Sequence, residues 1–270
     1  MSLLKFLLCA MIMHNAIALA AQRVYIIVHG TWATESEWHQ PGGDFFSALE
    51  QTVNLRNGRV VSFTWSGNND HFSRKVAAEN LAKLIQSYPL SFSINIVAHS
   101  HGSNVAILAS QILGNNDRGH RVQTFYGLAT PVSTVSYMPN MDIIRYFYNL
   151  YSLGDKIQTV FDLFEREFPE HPRRANIRLM VNGQEPSHSE LHCPLAATWI
   201  PFIHEGLAAQ HIGGFDLFDF GLDANIYLFD DRVPLYALDF ERKQVLAQDR
   251  TESRHLLQSF MSDFGRQRWM

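Results

Sequence analysis

Apolar positions along the chain follow two rhythms. Short continuous runs rich in β-branched residues, at 24–28, 60–65, 94–98, 122–128, 146–152 and 177–181, read as strands buried on both faces. Between them lie segments with helical spacing. Residues 44–53 are amphipathic, and residues 73–87 put Val76, Ala77, Leu81, Leu84 and Ile85 on one face. A helix restarts directly after Ser100, another is expected over 157–168, and a closing helix over 195–208. Strand and helix alternating in this way predict an α/β fold, a doubly wound and mostly parallel sheet covered by helices, with ligands bound beyond the carboxyl ends of the strands.

Two stretches fall outside that alternation. Residues 1–20 carry Lys5, an apolar run from 7 to 13 and Ala18-Leu19-Ala20 ahead of Ala21, the pattern of an export signal with an A-x-A cleavage site. His14 and Asn15 interrupt it, so it is too short for a membrane span. The main domain is read over 21–208. A C-terminal extension, 209–270, is expected to hold a strand pair, 225–230 and 233–246, around Asp230-Asp231-Arg232, and a helix over 250–264, packed on the main domain.

Composition narrows the function. The chain of 270 residues is 46% hydrophobic and 18% charged, enough for one large core plus an appendage. Its net charge of -4, with no run of basic residues, excludes a nucleic-acid partner. Loss of the signal would remove Cys9 and leave Cys193 alone, so an exported chain must rely on its core rather than on disulfides. Its 19 Phe, 9 Tyr and 5 Trp chiefly supply core volume and are compatible with an apolar substrate surface.

The candidate chemistry gathers at the expected strand ends. Ser100 lies between a strand and a helix in Ala98-His99-Ser100-His101-Gly102, a variant of the G-x-S-x-G elbow with Ala98 at the first glycine position. Such a turn lifts the hydroxyl clear of the sheet and aims the amide of His101 at developing negative charge. The first strand ends in His29-Gly30-Thr31-Trp32, where Gly30 permits a tight turn that presents the amide of Thr31 or Trp32 as a second oxyanion donor. A serine hydroxyl needs an imidazole to take its proton and a carboxylate to orient the imidazole. Asp155, after Leu153-Gly154, and His188, after Asn182-Gly183 and Pro186, supply these types. His192 competes for the base role, four residues on. His188 is preferred for its position just past the sixth strand. His99, His101, His188, His192, Cys193 and His204 are possible metal ligands, but His188-Ser189-Glu190-Leu191-His192 matches neither zinc helix pattern, so no metal or other cofactor is expected.

The order Ser100, Asp155, His188, each after a strand, resembles the α/β-hydrolase superfamily over residues 24–205. His29-Gly30-Thr31, His99-Ser100-His101-Gly102 and Thr130-Pro131 are similar to the lipase and esterase branch related to the PGAP1-like and DUF676-like serine esterases. The first two strands of larger members are missing, and no large lid precedes Asp155. The resemblance implies a carboxylic-ester hydrolase acting on an apolar acyl group, with a small-molecule or lipid ester as partner and peripheral contact with a membrane compatible with the latter. An acyltransferase using the same acyl-enzyme is the alternative, and a catalytically silent binding protein a third class. The segment 132–148 lies where lid insertions arise, so Met138, Met141 and Ile144 are expected to line an acyl groove.

Overall fold

The computed structural model describes residues 22–116, 119–157, 166–208 and 223–239. The expected signal over 1–20, most of the expected helix over 157–168 and the C-terminal helix over 250–264 lie outside the described residues.

Within them, eight strands form one sheet: β1 (Arg23–Val28), β2 (Gly58–Phe63), β3 (Ser93–His99), β4 (Val122–Leu128), β5 (Ile144–Tyr151), β6 (Arg174–Val181), β7 (Asp223–Leu228) and β8 (Leu235–Asp239). Their order is β2-β1-β3-β4-β5-β6-β7-β8. All neighbours are parallel except β8, which runs antiparallel to β7. The apolar runs of β1, β3, β4 and β5 are buried because helices cover both faces, whereas the edge strand β2, expected to be buried on both faces, buries only Val60.

Helices α1 (Asp44–Asn54) and α4 (Pro194–Ala208) cover one face, packing Phe45, Leu49, Ile200 and Leu207 with Tyr126 and Tyr148 of the sheet. Helices α2 (His71–Ser87) and α3 (His101–Asn116) cover the other, where Leu81, Ile85 and Ile107 meet Ile26, Ile96 and Phe125. The stripe that α2 buries differs from the expected one. Arg74, Ala77, Ala78, Leu81, Ala82 and Ile85 are buried, whereas Val76 is 41% exposed. Residues 74, 77, 78, 81 and 85 share one face at helical spacing, so the arginine belongs to the inward stripe.

Two features of the topology position the site. From β1 the chain moves outward to β2, then returns past β1 to β3, so strand order reverses between β1 and β3. A crevice opens at the carboxyl ends of strands at such a point. The register pairs Val28 with Ala98, which brings His29-Gly30 and His99-Ser100 side by side at that edge. At the far side, the residues read as the start of an extension continue the sheet: β7 pairs parallel with β6, and Asn182 Nδ2 donates to Asp230 Oδ2 at 2.7 Å. Tyr236 of β8 lies so close over Gly206 of α4 that a Cβ there would come within 2.6 Å of its ring.

Candidate active site

The turn from β3 into α3 holds Ser100 at φ +53°, a left-handed conformation that costs a side-chain-bearing residue about 1–2 kcal/mol. The fold fixes it there. Ser100 N donates to Leu128 O at 2.8 Å, and Ser103 Oγ closes the first turn of α3 by donating to Ala98 O at 3.0 Å. The helix must also approach the end of β1 closely. A Cβ on Gly102 would come within 2.4 Å of His29 O and 2.6 Å of Val28 O. A Cβ on Gly30 would meet Ser100 Cβ at 2.9 Å, so both glycines are required by close passage of the backbone.

Asp155 and His188 meet across two loops. His188 Nδ1 lies 2.7 Å from Asp155 Oδ2, and the aspartate is fully buried. The carboxylate is itself oriented, because Oδ1 accepts from Ile157 N at 3.0 Å. An ionised carboxylate only accepts, so the neutral imidazole carries its proton on Nδ1 and leaves Nε2 as a base. Glu185 joins the loops that carry Asp155 and His188. Its carboxylate accepts from Ser152 Oγ at 2.9 Å and Leu153 N at 3.0 Å and pairs with Arg178. Burial pushes the Glu185 carboxyl up, but the bonds from Arg178, Ser152 and Leu153 outweigh it and leave the pKa below the ordinary glutamate range. Gly154 lets the acid loop pass: a Cβ there would sit 2.6 Å from Glu185 O.

The other histidines of this edge are neutral scaffolding. His29 Nε2 accepts from Trp65 N at 3.1 Å, so Nδ1 donates to Gly30 O at 2.8 Å. Burial drives its pKa from 6.5 to about 4. His39 stacks on His29 at 4.5 Å and donates from Nε2 to Ala33 O at 2.9 Å, holding the loop after β1. His99 is buried, which takes its pKa well below 6.5, and its Nε2 donates to the carbonyl of His188 at 2.9 Å. His192 stacks on Trp38 at 4.2 Å, and burial lowers its pKa to about 4. Burial first, and Arg74 second, lower that of His101 to about 4 as well.

Ser100, His188, His192, His99 and His101 all line one cavity of about 610 Å³. It straddles the sheet edge. Towards the α1 and α4 face its wall is Trp38 and His192, and towards the α2 and α3 face it is Asn69, Arg74, His101 and Pro131. Trp32, 82% exposed, and Ile157, 52% exposed, form apolar walls.

The expected oxyanion donors separate here. The Trp32 amide is engaged, donating to Gly67 O at 2.9 Å, so Trp32 contributes its ring and not its N–H. Thr31 lines the cavity, and its Oγ1 is buried without a protein partner among the described residues. His101 opens α3 beside Ser100. Met138, Met141 and Ile144 are not walls of the cavity. Ile144 begins β5, at the opposite edge of a parallel sheet from Ser100, and all three side chains pack in the core with α3. Trp38, Asn69 and Arg74 take the wall positions and went unmarked by sequence pattern. Only Arg74 left a trace, its place on the apolar stripe of α2. Among the described residues no group of three His, Cys, Asp or Glu forms a metal-binding cluster.

No protein-family model matches the sequence, and neither does any curated protein. Among solved structures the chain is similar to XC6422 of Xanthomonas campestris, described as an α/β serine hydrolase without lid, at 17% identity and TM-score 0.46, over 69% of this chain and 84% of that one. It is similar to Aspergillus fumigatus lipase B at 13% identity and TM-score 0.45, over 71% and 53%. Similarity to the Arabidopsis methylesterase MES16 is 12% identity and TM-score 0.37, over 69% and 99%.

Proposed function

We propose that this protein is a serine hydrolase of the α/β-hydrolase type that cleaves a carboxylic ester through an acyl-enzyme on Ser100. The observation that carries the reading is the 2.7 Å contact between His188 Nδ1 and Asp155 Oδ2, with Ser100 held at positive φ on the wall of the same cavity. Asp155 fixes the tautomer and stabilises the imidazolium; His188 Nε2 takes the proton as Ser100 Oγ bonds to the ester carbonyl. Collapse of the tetrahedral intermediate breaks the bond to the alcohol, which leaves with the proton from His188. Water, activated by the same ring, then releases the acid. The amide of His101 and the loop at Thr31, whose hydroxyl has no protein partner among the described residues, are the donors for the oxyanion.

The reading favours His188 over His192 as the base, because His188 holds the carboxylate while His192 lies stacked on Trp38. An acyltransferase would use the same acyl-enzyme with an alcohol in place of water. The test is reaction of purified protein with a fluorophosphonate, followed by peptide mapping and assay on esters of graded chain length, with and without alcohol acceptors. A single adduct on Ser100 with loss of turnover is expected. Turnover retained in Ser100→Ala overturns the mechanism. Residues 1–20 fit removal on export, which predicts a secreted form beginning at Ala21.

A further inference from the structure

Arg74 is 8% exposed, lies in the first turn of α2 and forms part of the wall that Ser100 and His101 share. Two of its donors are used: Nε donates to Tyr137 Oη at 2.9 Å and Nη1 to Asn69 Oδ1 at 3.1 Å. Neither acceptor carries a charge. Among the described residues Arg74 has no carboxylate in ion-pair distance, and the cavity is lined by no aspartate or glutamate. The carboxylate four residues before it, Asp70, feels the Arg74 charge from outside ion-pair distance, and its hydrogen bonds go to the cap of α2, accepting from Ser73 N at 2.7 Å and Ser73 Oγ at 2.8 Å.

A guanidinium has five N–H donors in a rigid fork, so three remain beyond those that hold Tyr137 and Asn69. Anchoring the segment around Tyr137 explains the two bonds made. It does not explain a permanent cation, since a neutral donor would serve those acceptors equally well, and a nearly buried charge with no carboxylate in ion-pair distance among the described residues is costly to keep. A bidentate anion would complete the fork. The opposite end of the cavity, at Trp38 and His192, is aromatic and offers no charge. Any ester whose carbonyl sits at Ser100 must send its two substituents in different directions, and these two ends differ in chemistry.

We infer that the substrate is an ester carrying an anionic group, a carboxylate or a phosphate, on one side of its carbonyl, and that Arg74 binds that group while the other, apolar side lies against Trp38 and His192. The inference rests on the hydrolase reading and names the substrate class for the same site.

The experiment compares kcat/KM for pairs matched in shape but not in charge. The mono-para-nitrophenyl ester of glutaric acid against para-nitrophenyl pentanoate places the anion on the acyl side. Para-acetoxybenzoate against para-cresyl acetate places it on the alcohol side, and para-acetoxyphenyl phosphate replaces carboxylate by phosphate. Wild-type protein is expected to prefer at least one anionic member by about 10- to 100-fold, the range of one charge-assisted contact. In Arg74→Gln that ratio should fall towards unity, and Arg74→Lys, which keeps the charge and loses the fork, should fall between. Thermal unfolding of both variants checks that they fold, and Arg74→Lys carries the comparison if Arg74→Gln does not. Absence of anionic preference in every pair, with Ser100-dependent turnover of the neutral esters, overturns this inference and leaves the hydrolase reading standing. If no ester is turned over, the hydrolase reading fails, and titration with glutarate and with inorganic phosphate decides the anion site separately: tenfold weaker binding in the Arg74 variants supports it, and equal or absent binding overturns it.

Discussion

The ring of His99 donates from Nε2 to the backbone carbonyl of His188 at 2.9 Å, so the residue next to Ser100 in sequence holds the loop that carries the candidate base. One buried imidazole thus sets the distance between two loops that are 89 positions apart in the chain. Burial holds the His99 pKa well below 6.5, so the ring stays neutral and the bond persists at neutral pH. Replacing His99 by Phe leaves that carbonyl unpaired and frees the loop, and is expected to lower kcat by about 10- to 100-fold with a smaller change in KM, as misplacement of a catalytic group does. His99→Gln, which retains a donor, should recover part of the loss. Equal losses in both variants would show that ring packing, not the hydrogen bond, is what matters.

His188 meets Asp155 whereas His192 stacks on Trp38, although the two are alike in type and four residues apart. His188→Ala is expected to reduce turnover by about a thousandfold or more, close to the loss in Ser100→Ala, because members of such a unit fail together. His192→Phe keeps a ring against Trp38 and should cost less than about tenfold. Steady-state assays of the three variants on one ester decide the matter; a dead His192→Phe beside an active His188→Ala reverses the assignment.

The central strands were legible in the sequence because β1, β3, β4 and β5 are runs rich in β-branched or aromatic residues, and a parallel sheet buries both faces of such runs. The meeting of Asp155 with His188 was legible as well, since each follows a strand and strand ends converge at one edge. The cavity wall was not. Met138, Met141 and Ile144 have the composition of an acyl groove but belong to the core, and periodicity cannot tell an apolar residue facing a cavity from one facing a helix. Arg74 shares the apolar stripe of α2, but an arginine there reads as a solvated side chain. Its partner Tyr137 lies 63 positions away, a contact that no local pattern encodes.

The histidines also predict how stability responds to acid. His29, His101 and His192 have folded-state pKa values lowered from 6.5 to about 4, burial being the main cause in each. Between those values the unfolded chain binds protons that the folded chain refuses, so stability rises with pH and is lost as pH falls from about 6.5 towards 4. Each group contributes a slope of up to about 1.4 kcal/mol per pH unit in that window. Chemical denaturation from pH 7.5 to 4.5 should therefore show a steep decline beginning below about 6.5. His192→Phe should make the decline shallower while keeping the stack on Trp38. An identical slope in that variant would mean that His192 titrates alike in both states.

Ser100 itself stores strain, which can be measured once its chemistry is removed. At φ +53° a Cβ crowds the backbone, and Ser100→Ala keeps that Cβ, so its stability should lie within about 1 kcal/mol of the parent. Ser100→Gly removes the Cβ and with it the steric cost. Glycine ordinarily destabilises, because its unfolded chain has more freedom to lose, by roughly 0.5–1 kcal/mol relative to alanine in regular structure. At this one position relief of about 1–2 kcal/mol outweighs that entropy. Ser100→Gly is therefore expected to unfold at higher denaturant than Ser100→Ala with an unchanged m-value, both being inactive. An alanine variant as stable as the glycine variant would mean that the turn carries no strain and that the serine's positive φ costs the fold nothing.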